Sequence, residues 1–223
     1  MKDIRAIKGR FYINRLVEEG EHEHQDFKFL ISDARKIARS ISAFANNDGG
    51  HLLIGVKDNG IVAGIRNEED IYMIETAASS FCRPEIDVEF QAYKVEPGVV
   101  VVKAEIPRAV NRPVMVLEEG GALKAYYRVK DENIVAPRLM IRAWEYESNV
   151  DSAPLRLTDS HNAIVSLLGS DGPSTIDAIW RRLHISIASA EELVARMTAA
   201  KILRIDISDG LTLIDLNDNQ ETT

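Results

Sequence analysis

The sequence predicts an α+β domain followed by a small module of three helices and a hairpin, on three observations. First, Ile37, Ile41, Phe44 and Ala45 recur at helical spacing, the helix stops at Asn46 to Gly50, and a nearly continuous apolar run, Leu52-Leu53-Ile54 and Val56, follows. Second, from Val88 onward the period becomes that of strands, punctuated by Pro97-Gly98 and Glu119-Gly120-Gly121. Third, beyond a polar, proline-containing stretch at 149–155, three helical segments precede two strands around Ser208-Asp209-Gly210.

Residues 9–19 form a helix with Phe11, Ile13, Leu16 and Val17 as apolar positions, ending at Glu18-Glu19-Gly20. Asp26 to Leu30 is a short strand. Ser32 caps the next helix, with Asp33 favourable near its positive end. Asp58-Asn59-Gly60 turns the chain into a return strand at Ile61-Val62. Asn67 caps a helix reaching Cys82, with Ile71, Ile74, Ala78 and Phe81 as its buried stripe, and Pro84 stops it. Strands follow at 88–95, 99–106, 113–117 and 123–129, and Pro137 opens a helix through Tyr146. The boundaries expected are a first domain over 1–148, a linker over 149–155, a second domain over 156–217 and a flexible tail over 218–223.

The chain has 223 residues and a formal net charge of −8, so contact with a nucleic acid needs a local basic patch rather than a generally cationic surface. A single cysteine, Cys82, cannot form an internal disulfide and is expected as a reduced core residue. No signal-peptide pattern opens the chain and no apolar run is long enough for a membrane span, so the expectation is a soluble cytoplasmic protein with no membrane partner.

The order of residues is more specific than their period. Ser42-Ala43-Phe44-Ala45-Asn46, then Gly49-Gly50, then Leu53-Ile54-Gly55-Val56, then Asp58 and Gly60 closely resembles the signature of the Schlafen-type AlbA-like domain. Glu21, Asp26 and Phe27-Lys28 upstream, and Arg112 to Val116 and Tyr126 to Val129 downstream, look like further segments of that family. The resemblance covers roughly 10–145. It implies an AlbA-like fold with a mixed sheet and packed helices, and a nucleic-acid partner, DNA or RNA.

Glu21, Asp26 and Asp58 are the candidate catalytic and metal-binding residues. Three converging carboxylates can hold a divalent cation, magnesium or manganese, which activates water for phosphodiester cleavage. Relatives with ribonuclease activity use acids in this pattern, although Asp26 stands where the family usually has Glu. The competing reading makes Asp26 a strand-edge acid paired with Lys28 or an arginine, and Asp58 a turn residue. Lys28, Arg35, Lys36 and Arg39 are candidate phosphate contacts, and Arg128 is expected to share that role. Their alternative is a solvated helix face with local salt bridges. After Arg128-Val129 the sequence has Lys130-Asp131 where the family often has Gly-Ser. Gly49 and Gly50 allow a close approach to phosphate, with a plain helix stop as the competing role; no Gly-x-x-x-x-Gly-Lys-Ser/Thr loop is present, and a nucleotide such as ATP is implied only by the divergent ATPase label that domains of the resembled family carry.

The helices and hairpin of the second domain match a winged-helix pattern, the helix-turn-helix variant found in many transcriptional regulators. From Asp151 onward, however, six Lys or Arg face eleven acids, and the expected recognition helix over 189–200 carries Glu191, Glu192 and only Arg196. DNA reading and protein docking both fit. Three functions follow from the sequence: a nucleic-acid-binding regulator, a metal-dependent endoribonuclease, and a nucleotide-binding regulatory module. A single copy of the signature presents a small contact surface, which predicts a homodimer.

Overall fold

A computed structural model describes residues 4–149, 155–208 and 210–217, and divides the chain into two compact units, Met1–Ala136 and Pro137–Thr223. The first unit contains β1 (Ile7–Lys8), α1 (Arg10–Glu19), β2 (Gln25–Lys28), α2 (Ala34–Asn46), β3 (Gly50–Ile54), α3 (Glu69–Thr76), β4 (Cys82–Arg83), β5 (Glu89–Glu96), β6 (Val99–Ile106), β7 (Met115–Leu117), β8 (Leu123–Val129) and β9 (Glu132–Val135). These strands form a mixed five-stranded sheet in the order β1-β5-β6-β3-β2 and a four-stranded sheet in the order β4-β7-β8-β9. In the first, β1 runs parallel to β5 and β2 parallel to β3, while the other pairs are antiparallel.

Helix α2 serves both sheets. Ten of its thirteen residues are buried, which an amphipathic helix on one sheet would not require. Its Ile37, Ile41 and Phe44 join Leu52, Ile54, Val102 and Ile106 from one sheet and Val116 and Tyr126 from the other in a single apolar core. The other buried positions over 38–45 are small, Ala38, Ser40, Ser42, Ala43 and Ala45, so both sheets can approach the helix closely. Asp33, rather than Ser32, is the N-cap: its carboxylate accepts from the Arg35 and Lys36 N–H groups at 2.9 and 3.4 Å. On the other face of the five-stranded sheet, Ile13 and Leu16 of α1 pack on Phe27, Leu53 and Val101. Phe11, an expected apolar contact of α1, is instead 90% exposed.

Two further expectations change, and the one for Cys82 holds. The helix from residue 67 is shorter: α3 gives way to a π-helical turn at Ala77–Phe81 and then to β4. Ile61-Val62 forms no strand; a single bridge joins Val56 and Val62 across the expected turn, in which Gly60 N–H donates to the Lys57 carbonyl at 2.8 Å. Cys82 is a free thiol in the core, and burial pushes its pKa up to about 12.

The second unit contains α4 (Arg138–Ser148), α5 (Asp159–Asp171), α6 (Ile176–Leu183), α7 (Ile187–Ala199), β10 (Leu203–Ser208) and β11 (Leu211–Leu216). β10 and β11 pair antiparallel, and Ser174 bridges to Ile214 on the hairpin. Helix α4, which the sequence groups with the first domain, belongs by its contacts to the second. Arg142 reaches Glu191 at 3.3 Å and Glu192 at 2.6 Å, and the Tyr146 hydroxyl donates to Glu192 at 2.5 Å. Of the expected linker over 149–155, residues 150–154 lie outside the described residues, as do Asp209 of the hairpin turn and the expected tail over 218–223. Among the described residues no helix is long and apolar enough to cross a membrane.

Candidate nucleic-acid interface

Strand β2 brings two of the three candidate acids together. Asp26 is buried in the strand, and Glu21, five residues earlier, returns alongside it because its carboxylate accepts from the Phe27 N–H at 2.8 Å. Glu21 and Asp26 share a side-chain hydrogen bond. Burial, then that bond to Asp26, raises the Glu21 pKa to about 7. Burial acts on Asp26 too, but the bond to Glu21 and the charges of Lys28 and Arg128 outweigh it and hold Asp26 below the usual carboxylate range. The pair therefore retains a proton on the Glu21 side towards neutral pH.

Asp26 also has cationic partners from the protein itself. Lys28 Nζ lies 2.7 Å from one oxygen of Asp26, and an Arg128 guanidinium nitrogen lies 3.5 Å from the other. Asp58 stands apart, exposed in the turn after β3. Among the described residues no group of three His, Cys, Asp or Glu side chains is arranged to hold a metal. A divalent cation at Asp26 would compete with Lys28, lie beside a buried guanidinium and have to displace the proton shared with Glu21. The residues present do not fit that group.

Arg128 is not a surface cation. It is 1% exposed, with its guanidinium 4.9 Å from the centre of the Phe44 ring. It donates to the His22 carbonyl at 3.1 Å, the Asn133 side-chain oxygen at 2.9 Å and the Gln25 carbonyl at 3.2 Å. It thereby ties β8 to the chain around β2. The motif that ends α2 works in the same way. Ser42 and Asn46 bond the backbone of Val114 and Tyr126, and the Asn47 side chain both donates to and accepts from the backbone of Arg128.

Gly49 and Gly50 are required by packing. Gly49 has φ of +81°, and a Cβ there would lie 2.9 Å from the Ile106 carbonyl oxygen; one on Gly50 would lie 2.4 Å from the Phe44 ring. The space a phosphate would need beside this turn is occupied by protein on those sides.

The expected phosphate contacts also separate. Lys28 is paired with Asp26. Arg39 makes a two-pronged bond to Glu118, 2.9 and 2.7 Å, beside a Tyr126 hydroxyl that donates to the same carboxylate. Arg35 lies over the Phe81 ring at 4.9 Å, and Lys36 is exposed. A cluster the sequence reading missed lies just beyond β2: Lys57 Nζ is 5.1 Å and the Arg66 guanidinium carbon 5.0 Å from the centre of the Phe29 ring. Phe29 directly follows the Phe27-Lys28 pair, but its cations arrive from two later loops and no local spacing announces them.

Residues 21–137 match the family model described as Schlafen, AlbA_2. No curated protein matches the chain. Among solved structures, the chain is similar to the DIP2311 protein from Corynebacterium diphtheriae, with 17% identity and a TM-score of 0.41, over 86% of this chain and 34% of that one. The chain thus spans about a third of the length of that protein.

Proposed function

Because the chain belongs to the Schlafen AlbA_2 family, we propose that it is a nucleic-acid-binding regulatory protein, of the transcriptional class, whose first unit contacts the phosphate backbone near the end of β2. The observation that carries this reading is the placement of Lys57 and Arg66 over Phe29. Cations release condensed counterions from a backbone, and an aromatic ring beside them suits an unpaired base. Exposed Lys36 is available to extend the contact.

The second unit fits a winged helix in its order of three helices and a hairpin, α5 to β11. Its α7 supports protein contact over base reading. Glu191 and Glu192 are held by Arg142 and Tyr146 of α4, so that side of α7 already has an occupant. The reading includes a homodimer, since two copies about a twofold axis double a small cationic surface.

The test is binding of labelled single- and double-stranded DNA and RNA across a salt series. Lys57→Ala with Arg66→Ala weakens binding across sequences and flattens the dependence of log K on log salt by roughly one unit per lost contact. Phe29→Ala weakens single strands more than duplexes. Unchanged affinity and slope in a folded double variant rejects this surface. Light scattering with and without nucleic acid tests the dimer, and a monomer in both conditions rejects it.

A further inference from the structure

The first unit also has a cleft of about 900 Å³ between α3 and the five-stranded sheet, and its lining points to a ligand unlike a nucleic acid. The apolar floor that remains accessible is Val100 of β6 with Ile4, Ala6, Ile65 and Ile71, all half-buried against the core. The polar lining has one sign. Glu68, Glu69 and Glu75 contribute three carboxylates, and among the described residues no lysine, arginine or histidine lines the cleft. Tyr72 adds an aromatic side chain that is 67% exposed.

We propose that this cleft binds a small organic cation with an apolar body, independently of the surface around Phe29. The volume is that of a small-molecule site. Burial of an apolar body against Val100, Ile65 and Ile71 supplies the attraction, while the carboxylates and the Tyr72 face favour a positive head and disfavour a negative one. A phosphate-bearing ligand meets three like charges here, so nucleic acid is excluded from this face by the same chemistry.

Tetraphenylphosphonium and tetraphenylborate test this directly, because they share size and shape and differ in the sign of their charge. Isothermal titration of each into the full chain in sodium buffer is expected to give at least tenfold tighter binding of the phosphonium. Filling the floor with Val100→Phe reduces that affinity at least tenfold. The triple change Glu68→Gln, Glu69→Gln, Glu75→Gln leaves the apolar floor intact and removes the preference between the two ions, which keeps the test decisive if Val100→Phe unfolds the domain. Equal binding of both ions, binding of neither, or full affinity in a folded Val100→Phe variant overturns the proposal. Self-association that Val100→Phe abolishes also overturns it, since a second copy would then be the occupant.

Discussion

Asn46 at the end of α2 and Val114 ahead of β7 bond to each other in both directions. The Asn46 amide donates to the Val114 carbonyl at 3.0 Å, and the Val114 N–H donates to the Asn46 side-chain oxygen at 2.7 Å. The same amide reaches the Tyr126 carbonyl at 2.9 Å. Asn46→Ala removes the acceptor of the Val114 N–H and a donor from each of two carbonyls, of which Val114 keeps the Ser42 hydroxyl. Each unmade bond of this kind costs ~1–3 kcal/mol, so urea unfolding is expected to show a loss of about 3 kcal/mol. A loss under about 0.5 kcal/mol rejects a tethering role for Asn46.

Arg128 is expected to act on folding rather than on nucleic acid. Arg128→Ala removes four donor contacts and leaves Asp26 with less compensation, a change that costs about 3–5 kcal/mol in buried ion pairs. Thermal unfolding measures it. A variant as stable as the parent, with weakened nucleic-acid binding, would restore Arg128 to the surface role that sequence alone suggests.

The carboxyl pair predicts a pH dependence. Glu21 has its folded-state pKa raised to about 7 from 4.5, so the folded state holds a proton that the unfolded chain releases between these values. Its contribution to stability is full below about 4.5 and is lost as pH rises through 7. Glu21→Gln keeps an acceptor for the Phe27 N–H and a donor for Asp26, so it is expected to raise the melting temperature at pH 8 and change it little at pH 4.5. His51 slopes the other way. Burial, then the charge of Lys103, lowers its pKa to about 4, so its cost appears as pH falls below 6.5. A pH series on Glu21→Gln and on the parent separates the two. An equal shift at all pH values rejects the shared proton.

The turn between β8 and β9 predicts a gain. Val129 pairs with Glu132, leaving Lys130 and Asp131 as a two-residue loop, and Lys130 has φ of 55°. A left-handed backbone costs a non-glycine residue ~1–2 kcal/mol, partly offset by the greater freedom glycine loses on folding. Lys130→Gly is therefore expected to stabilise the protein by about 0.5–1 kcal/mol, read from chemical denaturation. The glycine that the family often has at this position answers that backbone need, so its replacement does not by itself report an altered ligand contact.

Much of the fold was legible because burial in it is periodic. The spacing of Ile37, Ile41 and Phe44 located α2, the apolar run at Leu52 located β3, and alternation with turn residues located β5, β6 and β8. Strand β1, two residues long, and β9, with no buried residue, carry too little pattern to be seen. The helix at residue 67 looked longer because Ala77, Ala78 and Phe81 keep an apolar rhythm across the π-helical turn. The site was less legible. The Glu21–Asp26 pair and the Asp26–Lys28 contact follow from local spacing, whereas the burial of Arg128 and the meeting of Lys57 and Arg66 at Phe29 arise from tertiary contacts.

Since α2 forms part of the packing of both sheets, separating it exposes two apolar surfaces in one event. Amide hydrogens of β3 and β8, which lie in different sheets, should then exchange with deuterium at a shared limiting rate under conditions where global opening dominates. A destabilising change in α2 should accelerate both by the same factor, so this first unit has one opening reaction in its centre even though it has two sheets.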